Sequence, residues 1–85
     1  MPKIVIYTTS VCPYCLNAKK LLATKGLKYT EIPIDTDVKK RNEMLKLSGR
    51  HTVPQIVING KPIGGLDDLA ALNASGQLDS LLQDE

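Results

Sequence analysis

Short unbroken apolar runs alternate along the chain with stretches of helical spacing. Residues 3–8 read Lys-Ile-Val-Ile-Tyr-Thr, β-branched and aromatic with a continuous apolar centre, which suits a strand covered on both faces. From Pro13 the pattern changes, and Leu16, Lys19, Lys20, Leu21, Leu22 and Lys25 follow helical spacing up to Gly26. Pro13 fits a first helical position, where its missing N–H would be unpaired anyway, and Gly26 fits the residue just past the helix end. Residues 28–34 predict a second strand, which Pro33 pushes towards a sheet edge or a strand end. Asp35, Thr36 and Asp37 offer N-caps for a helix through Leu47 that Ser48 and Gly49 end. Its apolar stripe includes Val38, Met44, Leu45 and Leu47, with Lys39, Lys40 and Glu43 facing water.

Residues 55–58 and 61–63 flank Asn59-Gly60, a strong hairpin signal. Gly64-Gly65-Leu66-Asp67-Asp68 then leads into a helix with Leu69 and Leu72 on one face and Gly76 beyond its end; a short helix through Leu78, Leu81 and Leu82 follows. The order β-α-β-α-β-β-α predicts an α/β fold, a four-stranded mixed sheet flanked by helices.

Composition narrows the function classes. Eighty-five residues make one domain spanning 1–85, and 42% hydrophobic with 24% charged residues describes a globule rather than a disordered tail. A net charge of +2 is too small and scattered to point to nucleic acid. No apolar stretch reaches the length of a membrane span, and residues 4–7 are too short a run for a leader, so the expected compartment is the cytoplasm.

The two cysteines, Cys12 and Cys15, sit in one motif, Cys12-Pro13-Tyr14-Cys15. A bridge across two residues closes almost no loop, so stability is not its purpose. With Pro13 opening the helix, Cys12 stands at its mouth and Cys15 about one turn inside. Unpaired N–H groups and the helix dipole favour an anion at that mouth, and only a thiolate attacks a disulfide. An exposed attacking sulfur with a shielded second thiol behind it is what thiol–disulfide exchange needs. Zinc would want four ligands, whereas the chain adds only His51 to the pair, so no metal site is expected within one chain. Inert buried cysteines and a [2Fe–2S] cluster shared between two chains stay open.

Two further segments carry candidate chemistry. In Thr52-Val53-Pro54-Gln55 the proline forces Val53 towards an extended conformation, leaving its backbone free to pair with a peptide-like substrate. A cis bond at Pro54 would turn that backbone towards the cysteines; an ordinary trans proline opening a strand is the plainer alternative. Gly64 and Gly65 before a helix can present N–H groups to a small anion, while Asp67 can serve as N-cap and meet an ammonium group. Plain capping would explain the same residues.

Taken together, Cys12-Pro13-Tyr14-Cys15, Thr52-Val53-Pro54-Gln55 and Gly64-Gly65 with Asp67-Asp68 resemble a dithiol glutaredoxin of the small bacterial type, in order and spacing along nearly the whole chain. Cys-Pro-Tyr-Cys separates it from thioredoxins and from monothiol relatives. The resemblance implies a thioredoxin fold with Pro54 in cis, glutathione as cosubstrate and no permanently bound cofactor. It implies Cys12 and Cys15 as catalytic residues, and a glutathione groove of Tyr14, Arg41, Thr52, Val53, Pro54, Gly65, Leu66 and Asp67. Within it, Val53 would pair with the cysteinyl part, Leu66 N–H and Asp67 would hold the γ-glutamyl end, and Arg41 would approach the glycyl carboxylate.

Implied partners are glutathione and glutathionylated or disulfide-containing proteins, with ribonucleotide reductase as a candidate, acting on a monomer. One departure concerns Thr9, where many relatives place a lysine: it leaves the Cys12 thiolate and the glutathione carboxylate one cationic neighbour fewer. Two rival readings follow from the same motif, an electron donor fed by thioredoxin reductase and the cluster-bridging module.

Overall fold

The computed structural model describes residues 3–82, so the expected 1–85 span reaches beyond the described residues at both ends. Strand β1 (Ile4–Thr8) runs into helix α1 (Pro13–Thr24), then strand β2 (Thr30–Pro33) and helix α2 (Val38–Ser48). Strands β3 (Gln55–Ile58) and β4 (Lys61–Gly64) form a hairpin, followed by helices α3 (Leu66–Ser75) and α4 (Gln77–Leu82). The sheet order is β2-β1-β3-β4, with β1 parallel to β2 and antiparallel to β3, and β3 antiparallel to β4. This is the mixed four-stranded sheet with flanking helices that the hydrophobic pattern predicts.

Alternation along the central strands divides the core in two. Ile4 and Ile6 of β1 and Ile56 and Ile58 of β3 face Ala18 and Leu22 of α1, Leu69 of α3 and Leu78 of α4. Tyr7 and Val57 face the other way, onto Ile34 and Met44. Both faces of the central strands are therefore covered, which is why residues 3–8 read as an unbroken apolar run. Leu22, Leu69 and Leu78 are fully buried, and each contributes roughly 1.5–3 kcal/mol by leaving water.

Helix α2 departs from its expected stripe. Met44 is its one buried residue, while Val38 is 72% and Leu47 42% exposed. On this face α2 contributes Met44 to the buried cluster, Leu45 is half-buried, and Val38 and Leu47 stay in water. The second strand is also shorter than 28–34, and Pro33 ends it at a sheet edge as expected. The hairpin turn is closed by Asn59 and Gly60 with φ of 51° and 82°, the left-handed pair that lets two antiparallel strands twist correctly. Asn59 anchors the turn to β1: Lys3 N–H donates to Asn59 Oδ1 at 2.8 Å, and Asn59 N–H to the Lys3 carbonyl at 2.8 Å.

Asp37 caps α2 by accepting from Lys40 N–H at 3.1 Å. The start of α3 corrects another expectation: Gly65, not Asp67, is the N-cap. Because Leu66 is already helical, Asp67 falls inside the first turn, and it is Asp68 that reaches back to accept from Gly65 N–H at 3.1 Å. Gly64 makes this possible with φ of 118°, a conformation that side-chain-bearing residues rarely adopt.

Candidate functional site

Cys12 is the N-cap of α1, in extended conformation (φ −97°, ψ 110°) with Pro13 as the first helical residue. Its sulfur accepts from Cys15 N–H at 3.3 Å, so one of the helix's unpaired donors is satisfied by the sulfur itself. The Cys12 thiol also donates to the Val53 carbonyl at 3.6 Å. Cys12 is half-buried, whereas Cys15 is 1% exposed. Burial, joined by a hydrogen bond with Cys12, pushes the Cys15 thiol up to about 12, against a smaller opposing pull from the Thr9 backbone and Lys19. The pair is thus asymmetric as the spacing predicts: one sulfur reaches the surface and the other waits beneath it as a thiol.

The loop before Cys12 is held from β2's far end. Ser10 donates to Asp35 Oδ2 twice, from N–H at 3.1 Å and from Oγ at 2.6 Å, and these bonds hold the Asp35 carboxyl below the usual carboxylate range. On the other side the Val53–Pro54 peptide is cis. Thr52 is fixed there by the buried Gln55, whose Nε2 donates to the Thr52 carbonyl at 2.9 Å and to Oγ1 at 3.1 Å.

A groove runs from this loop to the head of α3. Tyr14, Thr52, Val53, Pro54, Gly65, Leu66 and Asp67, seven of the eight groove residues that the resemblance implies, line it together with Arg50 and Asp68. Arg50 Nη1 lies 3.2 Å from Asp68 Oδ2, the oxygen that also accepts from Gly65 N–H. Arg41 does not line the groove; it is exposed on α2, where its charge is felt by Asp35. Sequence reasoning missed Arg50 and Asp68 as a pair. The position of Asp68, three residues after a helix N-cap, was a usable signal; its meeting with Arg50, 18 residues away, was not. Among the described residues no three or more His, Cys, Asp or Glu side chains are grouped to hold a metal ion.

The family model for glutaredoxin matches residues 4–63. The chain belongs to the glutaredoxin family. Glutaredoxin 3 of Escherichia coli K12 is 55% identical over 83 residues, covering 98% of this chain and 100% of that protein. Glutaredoxin of Pseudomonas aeruginosa is 50% identical over 82 residues, covering 96% and 98%. Among solved structures, glutaredoxin from Brucella melitensis superposes with a TM-score of 0.82 at 50% identity, covering 94% of this chain and 87% of that one. The buckwheat glutaredoxin–glutathione complex gives 0.88 at 30% identity, covering 98% and 78%. The fold is thus that of glutaredoxins within the thioredoxin superfamily, and the close Cys12–Cys15 pair fits a redox-active centre. Membership of the glutaredoxin family supports a thiol-oxidoreductase function.

Proposed function

We propose that the protein is a glutathione-dependent thiol–disulfide oxidoreductase that reduces both glutathione mixed disulfides and protein disulfides through Cys12 and Cys15. The observation that carries this reading is the helix-capping Cys12 sulfur with the buried Cys15 thiol one turn behind it. In deglutathionylation the Cys12 thiolate attacks the glutathione sulfur of a mixed disulfide; the substrate's sulfur leaves as thiolate and takes up a proton. A second glutathione thiolate then attacks the bound glutathione sulfur, releasing Cys12 and oxidised glutathione. For a protein disulfide, Cys12 forms the mixed disulfide and Cys15, once deprotonated, displaces the substrate thiolate. Two glutathiones then reset the Cys12–Cys15 disulfide.

A solved glutaredoxin carries glutathione, which supports glutathione as cosubstrate here. The groove beside Cys12 suits it: Val53 offers backbone for the cysteinyl part, Gly65 and Leu66 offer the N–H end of α3 for the γ-glutamyl carboxylate, and Asp67 suits its ammonium group. Tyr14 is proposed to flank the sulfur, with Thr52 and Pro54 lining the groove. Arg41, exposed on α2 outside the groove lining, is the proposed cation for a glycyl carboxylate that extends past the groove. Glutathionylated and disulfide-bonded cytoplasmic proteins are the proposed macromolecular substrates, met by a monomer.

The deciding experiment is the coupled assay with a small glutathione mixed disulfide, glutathione, glutathione reductase and NADPH. Steady NADPH loss is expected, abolished in Cys12→Ser and retained in Cys15→Ser; reduction of a protein disulfide is expected to fail in both. Inactivity with glutathione, and activity restored by thioredoxin reductase, would overturn the glutathione assignment while keeping the dithiol.

A further inference from the structure

A buried thiol cannot displace anything until it sheds its proton, and Cys15 is buried. Helix α1 places Lys19 one turn beyond Cys15, at the spacing that stacks side chains on one helix face. Lys19 is held there. Its Nζ lies 3.0 Å from Glu31 Oε2 on β2, and the same oxygen accepts from Thr8 Oγ1 at 2.7 Å. Thr8 is itself buried at the end of β1 (1% exposed), so three elements fix one ammonium group. That grip also keeps Lys19 cationic, because the hydrogen bond to Glu31 raises it above the ordinary lysine range. Cys12, Cys15, Leu16, Lys19 and Glu31 line an opening that shares no residue with the groove of Tyr14 and Arg50. Both cysteines line it, and the Lys19 charge opposes, in small part, the burial that holds the Cys15 proton on.

We propose that Lys19, held by Glu31 and Thr8, is a positioning residue for the resolving step: its charge stabilises the Cys15 thiolate as it forms, and the opening beside it lets the proton reach water. The step balances within the dithiol chemistry. Cys15 gives up its proton, its sulfur bonds to Cys12, the bond from Cys12 to the departing sulfur breaks, and that thiolate is protonated from water. This inference rests on the proposed function, since it needs Cys12 to hold a mixed disulfide.

The test mixes reduced protein with a mixed disulfide of glutathione and a chromogenic thiol, in the absence of free glutathione. A first phase releases the coloured thiol as the glutathionyl group moves to Cys12. A second releases glutathione as Cys15 resolves it. Lys19→Met is expected to leave the first phase unchanged and slow the second roughly three- to tenfold, the effect of removing one partly screened charge offset by the greater nucleophilicity of a more basic thiolate. Lys19→Arg should restore the second phase, and Lys20→Met, the same charge change at the exposed next position, should alter neither. Unchanged resolution in Lys19→Met, equal slowing of both phases, or no recovery in Lys19→Arg would overturn the inference alone. A parent protein with no first phase would overturn the proposed function, and this inference with it.

Discussion

At the scale of single residues, burial separates groups whose types look alike. Cys12 and Cys15 are the same side chain three positions apart, yet one caps the helix and the other lies under it. That difference was legible, because Pro13 announces where the helix begins. Thr8 and Thr9 differ just as sharply without any announcement: Thr8 is buried and bonded to Glu31, and Thr9 lies beside the cysteines. Thr9→Lys should add a cation near the thiolate and lower the Michaelis constant for glutathione, about two- to fivefold for one partly exposed charge interaction; an unaltered constant would count against the reading of that position. Tyr7 serves structure instead. Its hydroxyl donates to Glu43 Oε2 at 3.0 Å, tying β1 to α2, so Tyr7→Phe should cost about 1 kcal/mol in denaturant unfolding and leave turnover intact.

At the scale of elements, the head of α3 shows what short-range patterns can and cannot convey. Two glycines followed by two aspartates mark a helix start, and the start lies there. Which aspartate caps it depends on whether Leu66 is already helical, a matter of one residue that the pattern leaves open. Arg50 joins from the loop after α2, and only the fold brings it to Asp68. Gly64 holds this arrangement open. A Cβ there would collide with the Asp68 carboxylate, falling 2.7 Å from its Cγ. Gly64→Ala should therefore displace Asp68 from Gly65 N–H and Arg50, cost about 1–3 kcal/mol through the unfavourable backbone conformation, and raise the Michaelis constant for glutathione several-fold. Thermal melts and steady-state kinetics on the one variant read both effects. Helix α2 shows the converse limit. Its apolar residues imply a broad buried stripe, yet Met44 alone is buried, because stripe width depends on how much sheet the helix finds beneath it.

For the whole molecule, the order of strands and helices and the mixed sheet follow from periodicity and from Asn59-Gly60, because central strands buried on both faces leave continuous apolar runs. The balance of stability is less visible in the sequence. Cys15 and Tyr7 are both held as neutral acids, raised to about 12 from 9.0 and 10.0, chiefly by burial. A group raised in this way favours the fold fully below its unfolded value and loses that contribution as pH climbs towards the folded one. Unfolding free energy under reducing conditions should accordingly fall from about pH 9 upward, and in Cys15→Ala the decline should begin later, with Tyr7. Denaturant midpoints measured across pH 7–11 with a reductant present would check the order.

The two outer strands have a consequence for how copies of the protein treat one another. Each carries a proline, Pro33 in β2 and Pro62 in β4. Ile34 donates inward to the Thr8 carbonyl at 2.8 Å, which turns the nitrogen of its neighbour Pro33 outward, where an added strand would look for a donor and find a ring carbon instead. Pro62 likewise removes a donor from the opposite rim. A sheet of only four strands thus offers poor templates at both borders for amyloid-like stacking.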